Sequence, residues 1–143
     1  MLAGRQTERM LSKLRRFEKT LNPLLFKNVI TLDKVLAFET QERYYEIPDD
    51  SLFTPVESGW IWGNEESFCW FKAEFTVPEE LEGKNLFVMP HTEGYESLLW
   101  INGKPFGTFA TKIVFTGHGN HYCDMVEPCA REGQNLDLAV EFY

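Results

Sequence analysis

The first ordered pattern along the chain is helical. Met10, Leu14, Phe17 and Leu21 recur at three- and four-residue spacing and Leu11 widens the stripe, so residues 7–21 are expected to form an amphipathic helix. Thr7 is placed to cap its start, and Asn22-Pro23 ends the pattern because proline disfavours α geometry in the residue before it. From residue 29 the period shortens to two. In FCWFKAEFTV (68–77), Cys69, Phe71, Ala73, Phe75 and Val77 share one face, while Lys72, Glu74 and Thr76 point the other way. That alternation predicts a half-buried strand, closed by Pro78. EELEG (79–83) reads as an exposed turn before the apolar run LFVMP (86–90). SLLWI (97–101) enters Asn102-Gly103, a dipeptide that tolerates the positive φ angles of a tight hairpin, and the return strand passes through Phe106 to Phe109. Leu136, Leu138, Val140 and Phe142 alternate with Asp137, Ala139 and Glu141 in a final strand. Segments 29–38, 43–47, 112–116 and 122–126 bring the total to about eight strands, and IPDDSLFTPVESG (47–59) reads as a long loop.

This order predicts a mostly-β fold, an antiparallel jelly-roll or galactose-binding-like sandwich with an N-terminal α-helix. A length of 143 residues suits one compact domain with a real core and not two. The expected division is a helix with its linker over 1–28 and a β-sandwich over 29–143. An aromatic fraction of 15% fits pleated, half-buried surfaces.

Charge narrows the partners. A net charge of −8 speaks against general affinity for nucleic acid or an anionic membrane, both of which present phosphates. The helix departs from that balance, since Arg5, Arg9, Lys13, Arg15, Arg16 and Lys19 face only Glu8 and Glu18. Two explanations stand: a helix packed on its own acidic domain with solvated cations, or a helix that docks on another domain or subunit. Three cysteines, Cys69, Cys123 and Cys129, with no secretory apolar region and no run long enough to span a bilayer, point to a reducing, cytoplasmic setting. A Cys123–Cys129 bridge is the less favoured alternative.

Phosphate loops, nucleophile elbows, paired zinc-ligand cysteines and EF-hand spacing are missing from the sequence. In GHGNHYC, His118 and His121 with Cys123 could hold a transition metal if the loop folded back. The competing and preferred reading is a turn bent by Gly117 and Gly119, with the histidines hydrogen-bonded and no metal. Glycosidase chemistry needs two carboxylates facing each other across a sugar, about 5 Å apart for retention. Glu65, Glu66, Glu79, Glu80 and Glu82 fall in solvated turns, whereas Glu93 and Glu96 flank Gly94-Tyr95 at the start of a strand. Aromatic rings stack on sugar faces, so Trp60, Trp62 and Tyr95, with Glu93 beside them, are the candidate carbohydrate-binding residues. Each of these rings is equally good core material, and Trp100, inside an alternating strand, is expected to be buried between sheets.

The order SGWIWG (58–63), CWFKAEFTVPEELEGKNL (69–86), LLWINGKPFGTFATK (98–112), GHGNHYCDM (117–125) and NLDLAVEFY (135–143) resembles the N-terminal β-sandwich region of family 38 α-mannosidases of the bacterial and cytosolic type. The matching pieces are Trp62-Gly63, Trp70-Phe71-Lys72, Val77-Pro78 and Asn102-Gly103-Lys104. Similar pieces recur in galactose-binding-like sandwiches generally, including the N-terminal domains of family 2 glycosidases. The resemblance implies a parent that hydrolyses terminal α-mannosides through a zinc-bearing catalytic domain downstream of Tyr143. It assigns the present residues no catalytic role and no cofactor. Three functions follow: an accessory domain packed against that catalytic domain or a neighbouring subunit of a homo-oligomer, a stand-alone module for mannose-containing glycan, or a protein-interaction domain whose partner docks on the basic helix.

Overall fold

The computed structural model describes residues 4–64, 66–90, 96–110 and 124–143. Residues 1–31 and 32–143 form two separate compact units. The first holds helix α1 (Gly4–Leu25), longer at both ends than periodicity alone suggests. Thr7 lies inside the helix rather than at its cap. The backbone stays helical through Asn22 and Pro23, because a proline so near the end removes one rung and the helix stops two residues later. Met10, Leu11, Leu14, Phe17, Leu21 and Leu24 are all exposed.

The second unit is built from antiparallel sheets, with strands β1 (Val35–Thr40), β2 (Thr54–Val56), β3 (Phe68–Thr76), β4 (Leu86–Val88), β5 (Glu96–Ile101), β6 (Lys104–Ala110), β7 (Asp124–Glu127) and β8 (Asn135–Phe142). Six of them form one sheet in the order β2-β1-β3-β8-β5-β6, and β4 pairs with β7 in a second. Mostly-β, antiparallel and preceded by a helix, the chain has the expected fold class. β8 runs between β3 and β5, with Phe71 and Leu99 both opposite Val140, and Cys69 and Ser97 both opposite Phe142.

Residues directly opposed in antiparallel strands share a face, so this register sorts the side chains into two layers. Phe71, Phe75, Leu99, Ile101, Leu136, Leu138, Val140 and Phe142 form one, joined by Phe109 of β6 and covered by Leu86, Val88 and Val126 of the small sheet. The opposite layer is also apolar. Trp70, Trp100 and Ala139 pack there with Phe53, and Phe38, Tyr44, Ile47 and Leu98 close around them. Where Trp70, Ala139 and Glu141 lie, on the side expected to be solvated, β3 and β8 are therefore buried on both faces, while Glu74, Thr76, Asn135 and Asp137 on that side stay exposed.

The covering segment explains two further departures. Residues 43–47 form no strand, because Tyr44 and Ile47 are used as a lid on the second face instead of in a ladder. Within 47–59, a 3₁₀ turn (Asp50–Leu52) delivers Phe53 to the same face, and β2 pairs with β1 through Ala37↔Thr54. Strand β1 starts only at Val35, where β2 and then β3 supply hydrogen-bonding partners. The expected exposed turn at 79–83 is a 3₁₀ turn that buries Leu81 against Val77 and Ala130. The hairpin forms as expected: Asn102 and Gly103 have φ of 50° and 76°, and Asn102 exchanges bonds with Asp137 of β8 at 2.8 and 2.9 Å. The expected strand 112–116 lies outside the described residues.

Because each face has its own cluster, truncation on either should destabilise the sheet. Phe142→Ala and Trp70→Ala are each expected to cost about 3–5 kcal/mol in urea unfolding. A loss under about 1 kcal/mol for either would show that its face is not a packed core.

Candidate functional site

The sequence-predicted site residues separate into described and undescribed ones. Tyr95, Glu93, His118 and His121 lie outside the described residues. Trp60 and Trp62 are held in the loop between β2 and β3 by a defined set of bonds. Trp60 N–H donates to the Glu57 carbonyl at 3.0 Å, and Glu39 Oε1 accepts from Gly63 N–H and from Asn64 Nδ2, each at 3.2 Å. Gly59 and Gly63 adopt φ of 90° and 100°, the left-handed region that lets the chain turn on both sides of the tryptophans.

These bonds set the rings against the core. Trp62 meets Phe71 and Phe142 at 5.9 Å between ring centres in each case, and Phe71 meets Phe142 edge-on at 5.8 Å. Trp62 is thus part of the first packed layer. Trp60 stands edge-on to Phe71 at 6.1 Å and is 40% exposed, while Ile61 between them is 89% exposed. The loop presents a fixed apolar knob, Trp60-Ile61, with Glu57 and Glu66 exposed nearby in sequence.

A second polar constellation, missed in the sequence, lies on the opposite face. Glu141, only 7% exposed, stands in register with Trp70 on β3 and Leu98 on β5. Burial holds its carboxyl above the ordinary glutamate value, and the Arg43 guanidinium acts in the opposite sense. Arg43 itself lies over the Tyr45 ring at 5.4 Å. Trp70 and Trp100 pack at 6.0 Å, and their buried indole N–H groups find no hydrogen-bond partner among the described residues. One signal was legible: Ala139 is the small residue in the closing strand, opposite both Lys72 and Trp100, and leaves room for large rings on that side.

The carboxylates read as solvated are exposed at Glu66, Glu79, Glu80 and Glu82, while Glu65 lies outside the described residues. Among the described residues no three His, Cys, Asp or Glu side chains converge on a point where a metal could bind. Also among them, no helix is long and apolar enough to cross a membrane. Cys69 is buried, and its thiol is pushed up to about 12, first by burial and then by the charge of Glu39. Cys129 is exposed.

No family model matches the chain. Similar solved structures include a Faecalibacterium prausnitzii β-glucuronidase, with a TM-score of 0.54 at 12% identity over 82% of this chain and 22% of that one. A β-glucuronidase from glycoside hydrolase family 2 gives 0.51 at 15% identity over 80% of this chain and 14% of that one. The fold is accordingly that of the β-sandwich domains of glycoside hydrolases. In sequence, 29% of 100 residues match alpha-mannosidase 2C1 of Mus musculus, and 28% of 116 residues match alpha-mannosidase 2C1 of Homo sapiens, covering 63% and 73% of this chain. These relatives bear out the resemblance to the family 38 α-mannosidases. The chain spans about a tenth of their length, 10% and 11%.

Two solution tests address this geometry. A carboxyl whose value is raised on folding favours the folded state when protonated; that contribution is complete below the ordinary value of 4.5 and is lost as pH rises through the folded-state value. Glu141→Gln stays neutral, so its stability relative to the parent chain should increase from about pH 4 to about pH 8 in urea titrations. A pH-independent difference would contradict a raised carboxyl. In the second test, iodoacetamide at neutral pH should label Cys129 in the native protein and Cys69 only after unfolding, as mapped by peptide mass spectrometry. Native labelling of Cys69 at the rate of Cys129 would contradict its burial.

Proposed function

We propose that this chain is the non-catalytic accessory sandwich at the N-terminus of an α-mannosidase-type glycoside hydrolase. The observation that carries the reading is the coincidence of two likenesses, one in sequence and one in fold, within one chain. The sequence is akin to alpha-mannosidase 2C1, and the fold is akin to the sandwich domains of β-glucuronidases. The parent would hydrolyse terminal α-mannosides in the cytoplasm, using zinc held by its own catalytic domain. The present residues would supply a rigid body, galactose-binding-like and of the jelly-roll kind, for that domain or a neighbouring subunit to pack against. The burial of both faces of β3 and β8 suits such a role, because a sheet clamped on both sides resists deformation.

Trp60 favours a second reading, a module that holds mannose-containing glycan. Its ring is fixed edge-on to Phe71 and still 40% exposed, as a sugar-stacking platform requires.

The folded chain should release no aglycone from an aryl α-mannoside; turnover above the buffer rate that survives repurification would refute the non-catalytic assignment. Calorimetric titration with mannose oligosaccharides at millimolar concentration decides the glycan reading. Saturable heat abolished by Trp60→Ala establishes it, and the absence of heat removes it.

A further inference from the structure

Asn102-Gly103 is the one Asn-Gly pair in the chain. Its chemistry is particular, because glycine lacks the Cβ that would keep its backbone nitrogen away from the preceding side chain. When the two groups meet, the Gly103 nitrogen bonds to Asn102 Cγ and sheds its proton to solvent, and the side-chain amide nitrogen leaves as ammonia. The five-membered imide that results takes up water at one of its two carbonyls. Opening at one gives aspartate at position 102, and opening at the other gives isoaspartate, whose main chain runs through the former side chain. Water is the only co-reactant, and nothing is oxidised or reduced.

The fold holds both groups in place. Asn102 and Gly103 are the exposed turn between β5 and β6, closed by the Ile101↔Lys104 pair, and the space beside Gly103 is open. Solvent therefore reaches them. Asn102 is nevertheless tied twice to β8: its N–H donates to the Asp137 carbonyl at 2.8 Å, and its Oδ1 accepts from the Asp137 N–H at 2.9 Å. Only the amide oxygen can accept from that N–H, so the bond also fixes which way the side chain faces. Cyclisation needs a near-attack geometry, and two bonds to one residue of β8 leave neither the main chain nor the side chain of Asn102 free to search for it. We propose that Asn102 is a latent modification site, guarded by its paired bonds to Asp137 and open to conversion whenever the β5–β6 turn lifts from β8. Isoaspartate adds an atom to the main chain of a two-residue turn, which puts the Ile101↔Lys104 closure out of step with the bonds to Asp137. Opening of this end of the sheet is thus recorded permanently in the covalent chain.

The test is mass spectrometry of the peptide spanning Asn102 after incubation of the chain in warm, mildly alkaline buffer, with and without denaturing urea. Chromatography separates the aspartate and isoaspartate forms from the parent peptide. Conversion is expected to be at least about tenfold slower in the folded chain than in urea. Gly103→Ala, compared in urea where folding no longer enters, should slow it at least about tenfold, because a Cβ crowds the attacking nitrogen. Urea below the unfolding transition supplies the second arm. There the conversion rate should rise in step with hydrogen exchange of the Asp137 amide, which the Asn102 bond protects. Equal rates in the folded and unfolded chain would overturn the proposal. So would conversion that stays constant while Asp137 exchange quickens, or isoaspartate chains whose Asp137 amide is as protected as in the unmodified chain.

Discussion

From Leu138 to Phe142, strand β8 is hydrogen-bonded along both edges and covered on both faces, and the rest of the sandwich is arranged around that condition. Its partners come from distant parts of the chain, β3 more than fifty residues earlier and β5 nearly forty. Bringing them together costs loop-closure entropy that only burial can offset. Leu136, Leu138, Val140 and Phe142 supply that burial on one side, and Ala139, opposite Trp100, on the other. The same strand carries a buried carboxyl at Glu141, which burial holds above the ordinary glutamate value and the Arg43 charge only partly offsets.

The aromatic residues divide the molecule's labour. Those of the second face, Trp70, Trp100, Phe38 and Phe53, are consumed by packing. Those of the loop before β3 grade outward from Trp62 in the core through Trp60 to Ile61 in solvent. A single hydrogen-bonded loop thus both seals one end of the packed layer and displays an apolar point.

Legibility in the sequence followed the locality of the physics. The hairpin at Asn102-Gly103 was readable because the left-handed φ angles it needs are a property of those two residues. The strands at 68–76 and 135–142 were readable because alternation is a property of the strand itself. Residues 43–47 misled for the same reason: their composition suits a strand, but the available ladder positions beside β1 were taken by β2 and β3. The candidate aromatics were found by type, and type could not rank Trp62 as core against Trp60 as surface. The influence of Arg43 on Glu141 could not be read from the sequence, since they lie about a hundred residues apart and act on each other only in the folded chain.

The sequence by itself determined the fold class, the positions of the longest strands, the hairpin, the basic amphipathic helix and the resemblance to α-mannosidases. All of these depend on residue type, local spacing or the order of short motifs. Only the tertiary structure decided that β3 and β8 are covered twice, that Tyr44, Ile47 and Phe53 form the second cover, and that Ile61 is left in solvent. Those outcomes depend on which surfaces meet, and a one-dimensional pattern records only that a face is apolar, not what covers it.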